Sequence, residues 1–174
     1  MTHKIHNHLL KISSKYCKPL ESIIIANGVI NIEIPKNLEL FDCLAQTVVE
    51  QQLSYKAAKS IWNQIKISSE QRKIKLIDYF DAQYITDIRN DGLSENKIKA
   101  ILGAKQAVQI GGITLKGLSE MNDIEFKRTI TDLWGFGDWS AEMIAIFYLG
   151  KTNIWSEKDL ILNKGINQIC DQCE

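Results

Sequence analysis

Leu133-Trp134-Gly135-Phe136-Gly137-Asp138-Trp139-Ser140-Ala141 sets two glycines around one apolar residue, between an amphipathic stretch and a strongly apolar run. Glycine accepts backbone conformations that other residues resist, so this spacing makes a tight hairpin between two helices. Amides at the start of the following helix lack intrahelical partners and face outward, which suits them to a phosphate oxygen. Gly135, Phe136, Gly137 and Asp138 are therefore candidate phosphate-binding residues, although Asp138 carries a charge that opposes a polyanion. The same Gly-x-Gly also serves as an ordinary helix C-cap and close-packing turn. A lone acid, Asp159, follows about 22 residues after the second glycine.

Outward from the hairpin the pattern is helical. Residues 123–134 read as an amphipathic helix before it and residues 139–149 as an apolar helix after it, and a loop over 151–158 precedes a last helix. Upstream, Phe41, Leu44, Ala45, Val48 and Val49 recur at helical spacing within 40–52, which marks a helix with a buried face. The polar break Gln51-Gln52-Leu53-Ser54 leads into a second helix with Ala57, Ala58, Ile61, Trp62 and Ile65 inward and Ser54 as its N-cap. Weaker helices are expected over 73–80 and 84–90. Asp91-Gly92-Leu93-Ser94 then makes a turn and cap for a helix over 95–109, with Lys97, Lys99 and Lys105 outward. Residues 1–27 read as a polar start and one short helix, followed by an extended stretch over 29–34 that Pro35 stops. With no repeat, linker or low-complexity segment, the expected architecture is all-α: a two-lobed helical bundle built around a helix-hairpin-helix, one domain over 1–174.

Composition narrows the function classes. The 174 residues, 45% hydrophobic and 24% charged, hold no run that spans a bilayer and no secretory leader, so a soluble cytoplasmic protein without a membrane role is expected, as a monomer. Lys+Arg and Asp+Glu number 21 each, so attraction for a polyanion has to come from local arrangement. His3, His6 and His8 are the only histidines, which leaves acid, base or electrostatic work elsewhere to carboxylates, lysines or tyrosines. Among Cys17, Cys43, Cys170 and Cys173 only the last two have metal-ligand spacing, and no further ligands lie nearby. Free thiols are expected, and no metal.

Three segments in order carry a family likeness: Val49-Glu50-Gln51-Gln52-Leu53-Ser54-Tyr55-Lys56-Ala57-Ala58, Gly135-Phe136-Gly137-Asp138-Trp139-Ser140-Ala141-Glu142-Met143, and Asn153-Ile154-Trp155-Ser156-Glu157-Lys158-Asp159-Leu160. Over roughly residues 40–167 the chain resembles the helix-hairpin-helix DNA glycosylases, in particular the 3-methyladenine DNA glycosylase II type. The resemblance implies base-excision repair, the hydrolysis of the N-glycosidic bond of alkylated purines in damaged double-stranded DNA. It puts Asp159 at the catalytic aspartate. Trp139 falls where lysine acts as an amine nucleophile in relatives that also cut the strand, which implies a glycosylase without AP-lyase activity. An indole there also offers an electron-rich face to a cationic flipped base, although buried tryptophans commonly just pack. Gln52 matches the wedge that fills the gap left by the base, Ser54 a backbone or minor-groove contact, and Lys97, Lys99 and Lys105 are possible phosphate contacts beside the hairpin. Gln51 and Gln52 read equally as a solvated turn. In a bacterium, the implied location is the nucleoid.

The likeness has departures. Ser156 stands where proline is usual, and Phe136 where Ile or Val is common. The resemblance implies further helices beyond the catalytic aspartate, which a chain ending at Glu174 is expected to lack. The alternative reading is therefore a catalytically inactive, truncated helix-hairpin-helix DNA-binding protein. The four-cysteine iron–sulfur cluster of other branches is not expected, because only Cys170 and Cys173 follow Asp159. No cofactor is implied.

Overall fold

The computed structural model describes residues 3–35, 37 and 39–172, and every regular element among them is helical. In chain order these are α1 (His3–Tyr16), α2 (Lys18–Asn27), α3 (Leu40–Glu50), α4 (Tyr55–Gln71), α5 (Leu76–Tyr79), a 3-10 turn (Ala82–Tyr84), α6 (Ile85–Asn90), α7 (Glu95–Gln109), α8 (Leu115–Glu120), α9 (Asp123–Thr131), α10 (Asp138–Phe147) and α11 (Leu160–Cys170). They fall into two compact units, Met1–Ile34 with Trp155–Glu174, and Pro35–Ile154.

The smaller unit holds α1, α2 and α11. Its first 27 residues make two helices where one was expected. Cys17 is extended at φ −154, ψ 94, and proline in the first turn of α2 tolerates a helix start but not a helix interior. Residue 29 is a bend and residues 30–34 carry no regular secondary structure.

The larger unit is organised around α3. Leu44, Ala45, Val48 and Val49 lose all contact with solvent, and Leu40, Phe41 and Cys43 nearly all. A helix apolar on most of its circumference has to be central. α3 accordingly packs against α4, α5, α7 and α10. Each buried Leu, Val or Phe side chain contributes about 1.5–3 kcal/mol relative to exposure.

Boundaries move where tertiary contacts outweigh periodicity. The 73–80 pattern yields only α5, because Tyr79 and Phe80 turn wholly into the core, with the Phe80 ring edge-on to Phe41 at 5.6 Å between centroids. The 84–90 pattern becomes α6, entered through the 3-10 turn. Helix α8, capped by the Thr114 side chain, is too short to leave a periodic signal. α9 stops at Thr131 and α10 begins at Asp138, so the hairpin occupies the residues between.

Candidate nucleic-acid interface

The hairpin is built by two glycines with separate tasks. The Phe136 amide donates to Leu133 O at 3.0 Å, closing the turn, and the Phe136 side chain is buried beneath it. Gly135 adopts φ +85, and a Cβ there would meet Ala100 Cβ at 2.7 Å, so its backbone lies directly on α7 and only glycine fits. Gly137 is the extended N-cap of α10 at φ −115, ψ −173, with open space where a Cβ would stand. Its amide has no acceptor among the described residues, the condition for receiving one from outside.

Asp138 opens α10, and its carboxylate lies 3.5 Å from Lys127 Nζ, which also faces Glu142 at 3.7 Å. The charge that opposed a polyanion in the sequence is thereby partly balanced. Trp139 is half-buried and Ser140 buried.

Sequence reasoning passed over Gln51, read as part of a solvated turn. Its Nε2 donates to Gly135 O and to Ser140 Oγ, both at 2.9 Å, tying the α3–α4 turn to the hairpin. The next residue, Gln52, is exposed at φ 55, a left-handed conformation that costs a non-glycine residue on the order of 1–3 kcal/mol. Ser54 accepts from the Ala57 amide at 3.3 Å as the N-cap of α4, the role its position predicted. The only available signal for Gln51 was a pair of amide side chains just past a buried helix. Nothing local distinguished which of the two turns inward.

The three lysines expected outward divide. Lys97 turns in, donating to Val49 O at 2.8 Å and Gln51 O at 2.9 Å, and burial holds its pKa below the ordinary lysine range. Lys105 donates to Phe80 O at 3.0 Å. Both correct the expectation of outward lysines available to phosphate, because carbonyls left over at element ends attract ammonium groups. Lys99 lies over the Trp134 ring, 4.3 Å from its centroid.

Asp159 belongs to the smaller unit, as the N-cap of α11. Its Oδ1 accepts from the Leu162 amide at 2.8 Å, and its own amide donates to Ser156 O at 3.2 Å. Asn163 Nδ2 donates to Glu157 O at 2.7 Å, bracing the same loop. The carboxylate is thus held at the N-terminus of α11.

Among the described residues no three His, Cys, Asp or Glu side chains gather as a metal site. Cys43 and Cys170 are free, and burial beside Asp42 pushes the Cys43 thiol to about 12. Cys17 is disulfide-bonded, which corrects the expectation of free thiols: spatial proximity, invisible in the spacing, decides bonding. Cys173 lies outside the described residues. No helix among them is long and apolar enough to cross a membrane.

Helices joined by a glycine hairpin, set in an all-α bundle, define the helix-hairpin-helix class. Sequence and fold agree on one likeness within it, that of the 3-methyladenine DNA glycosylases. DNA-3-methyladenine glycosylase 1 of Schizosaccharomyces pombe is 28% identical over 128 residues, 73% of this chain and 56% of that protein. DNA-3-methyladenine glycosylase of Saccharomyces cerevisiae is 27% identical over 146 residues, 78% of this chain and 49% of its own. The chain thus spans about half the length of these relatives. In structure it is similar to the S. pombe 3-methyladenine DNA glycosylase Mag1, solved in complex with abasic DNA, with a TM-score of 0.82, 23% identity, and coverage of 97% of this chain and 81% of that one. A DNA-3-methyladenine glycosidase from Bacillus halodurans aligns with a TM-score of 0.69 and 24% identity, covering 94% and 73%. No family model matches the chain.

Proposed function

We propose that this chain is a DNA glycosylase that hydrolyses the N-glycosidic bond of alkylated purines in damaged double-stranded DNA, without cutting the strand. The observation that carries the DNA-binding part is the hairpin, with the open Gly137 amide and its link through Gln51 to the exposed Gln52 turn. In this reading the hairpin amides take a backbone phosphate, Gln52 enters the stack, and the damaged base rotates out at a cost of roughly a few kcal/mol, least for damaged bases. Breaking the base–sugar bond builds positive charge on the sugar, which the Asp159 carboxylate stabilises. An alkylated purine is already cationic and departs without a strong general acid, so the chemistry needs no histidine. The Trp139 indole offers its face to that cation and no amine to the sugar, which accounts for release without strand cleavage.

The test is release of methylated bases from methylated duplex DNA by wild type and by Asp159→Asn, with abasic sites scored by alkali cleavage. Asparagine is as good an N-cap as aspartate, so the variant keeps the contact to Leu162 and loses only the charge. Release by wild type and loss of at least 100-fold in the variant, with duplex binding retained, is the expected result. Equal release by both removes the carboxylate mechanism. No release by either, with binding retained, leaves the non-catalytic DNA-binding reading.

A further inference from the structure

Two aromatic side chains stand open beside the loops that Gln51 joins. Trp134, the residue before Gly135, is 50% exposed, and Tyr55, the first residue of α4, is 79% exposed. Each carries a lysine over its ring: Lys99 Nζ lies 4.3 Å from the Trp134 centroid and Lys59 Nζ 5.6 Å from that of Tyr55. Neither lysine makes an ion pair or hydrogen bond among the described residues, whereas Lys97, Lys105 and Lys127 are all engaged within the protein. The chain has no net charge, yet Lys99 and Lys59 stay uncommitted to any carboxylate or carbonyl, each presented on an apolar plate.

We propose that Trp134 with Lys99, and Tyr55 with Lys59, are two DNA-contact sites flanking the hairpin and the Gln52 turn, each ring packing on a deoxyribose and each ammonium pairing with the adjacent phosphate. The inference rests on the DNA-binding reading above. A sugar and its phosphate present an apolar face beside an anion, and an aromatic ring with a lysine at its edge presents the matching pair at every sequence. A lysine held over a ring has also given up part of its freedom before the phosphate arrives, which lowers the cost of ordering it.

The test is binding of a short labelled duplex carrying a tetrahydrofuran abasic analogue across a potassium chloride series. Each phosphate contact contributes about 0.9 to the slope of log K against log salt. Lys99→Met and Lys59→Met are each expected to lower the slope by roughly that amount, and Lys99→Arg and Lys59→Arg to restore it. Trp134→Ala and Tyr55→Ala are expected to weaken binding roughly tenfold with the slope unchanged. Far-UV circular dichroism and melting show whether each variant keeps its fold, and the arginine variants keep the charge question open to test even where a methionine variant does not. Wild-type binding with slopes unaltered in both lysine variants overturns this proposal and leaves the glycosylase reading standing. A wild type that binds no duplex at low salt overturns both.

Discussion

A methyl group added at Gly135 would lie 2.7 Å from Ala100 Cβ, on a backbone already at φ +85. Steric overlap and left-handed strain act together there, so Gly135→Ala is expected to cost roughly 2–4 kcal/mol of stability, measured by urea denaturation. At Gly137 the surrounding space is open and φ is −115, so Gly137→Ala is expected to change stability by less than about 0.5 kcal/mol. If its backbone is where a phosphate approaches, the same substitution weakens duplex binding several-fold in a filter or fluorescence assay. The Gly-x-Gly spacing was legible in the chain. The division of labour between the glycines was not, because it depends on Ala100, which is remote in sequence and adjacent only after α7 packs.

At the level of elements, the turn after α3 is held by groups from two other helices. Lys97 from α7 fills its last carbonyls, and Gln51 reaches across to Gly135 O and to Ser140 on α10. Gln51→Ala removes two hydrogen bonds from a half-buried position and is expected to cost about 1–2 kcal/mol. Gln51→Glu is expected to cost more, because an acceptor then faces the Gly135 carbonyl. Urea denaturation of the two variants side by side checks both the size and the order. The helices themselves were legible, since the apolar spacing over 40–52 and the Ser94 and Ser54 caps mark them locally. What periodicity missed were the short helix α8, the true length of α5 and the break at Cys17. A single turn held by one cap or one buried ring leaves no repeat to read.

Across the whole molecule, equal numbers of positive and negative side chains leave stability against pH to individual groups in odd surroundings. Asp42, in the first turn of α3, is one: burial first, and Glu39 second, hold its carboxyl above the ordinary 3.8. A raised folded pKa means that the folded state binds the proton more tightly. The contribution is therefore fully present below 3.8 and lost as pH climbs through the raised value. Asp42→Asn is expected to match wild type in acid and to gain stability relative to it towards neutral pH, in denaturation curves taken across that range. The sequence by itself determined that the chain is helical, and where α3, α4, α7 and the glycine hairpin lie. Those properties reside in neighbours a few residues apart, where periodicity, caps and turn residues act. Tertiary structure alone decided that Gln51 rather than Gln52 ties the turn to the hairpin, that Lys97 and Lys105 serve carbonyls inside the fold, and that Lys99 is left over an open Trp134. Each of those choices is settled by a donor or acceptor brought close from a distant part of the chain, and no local pattern encodes which one arrives.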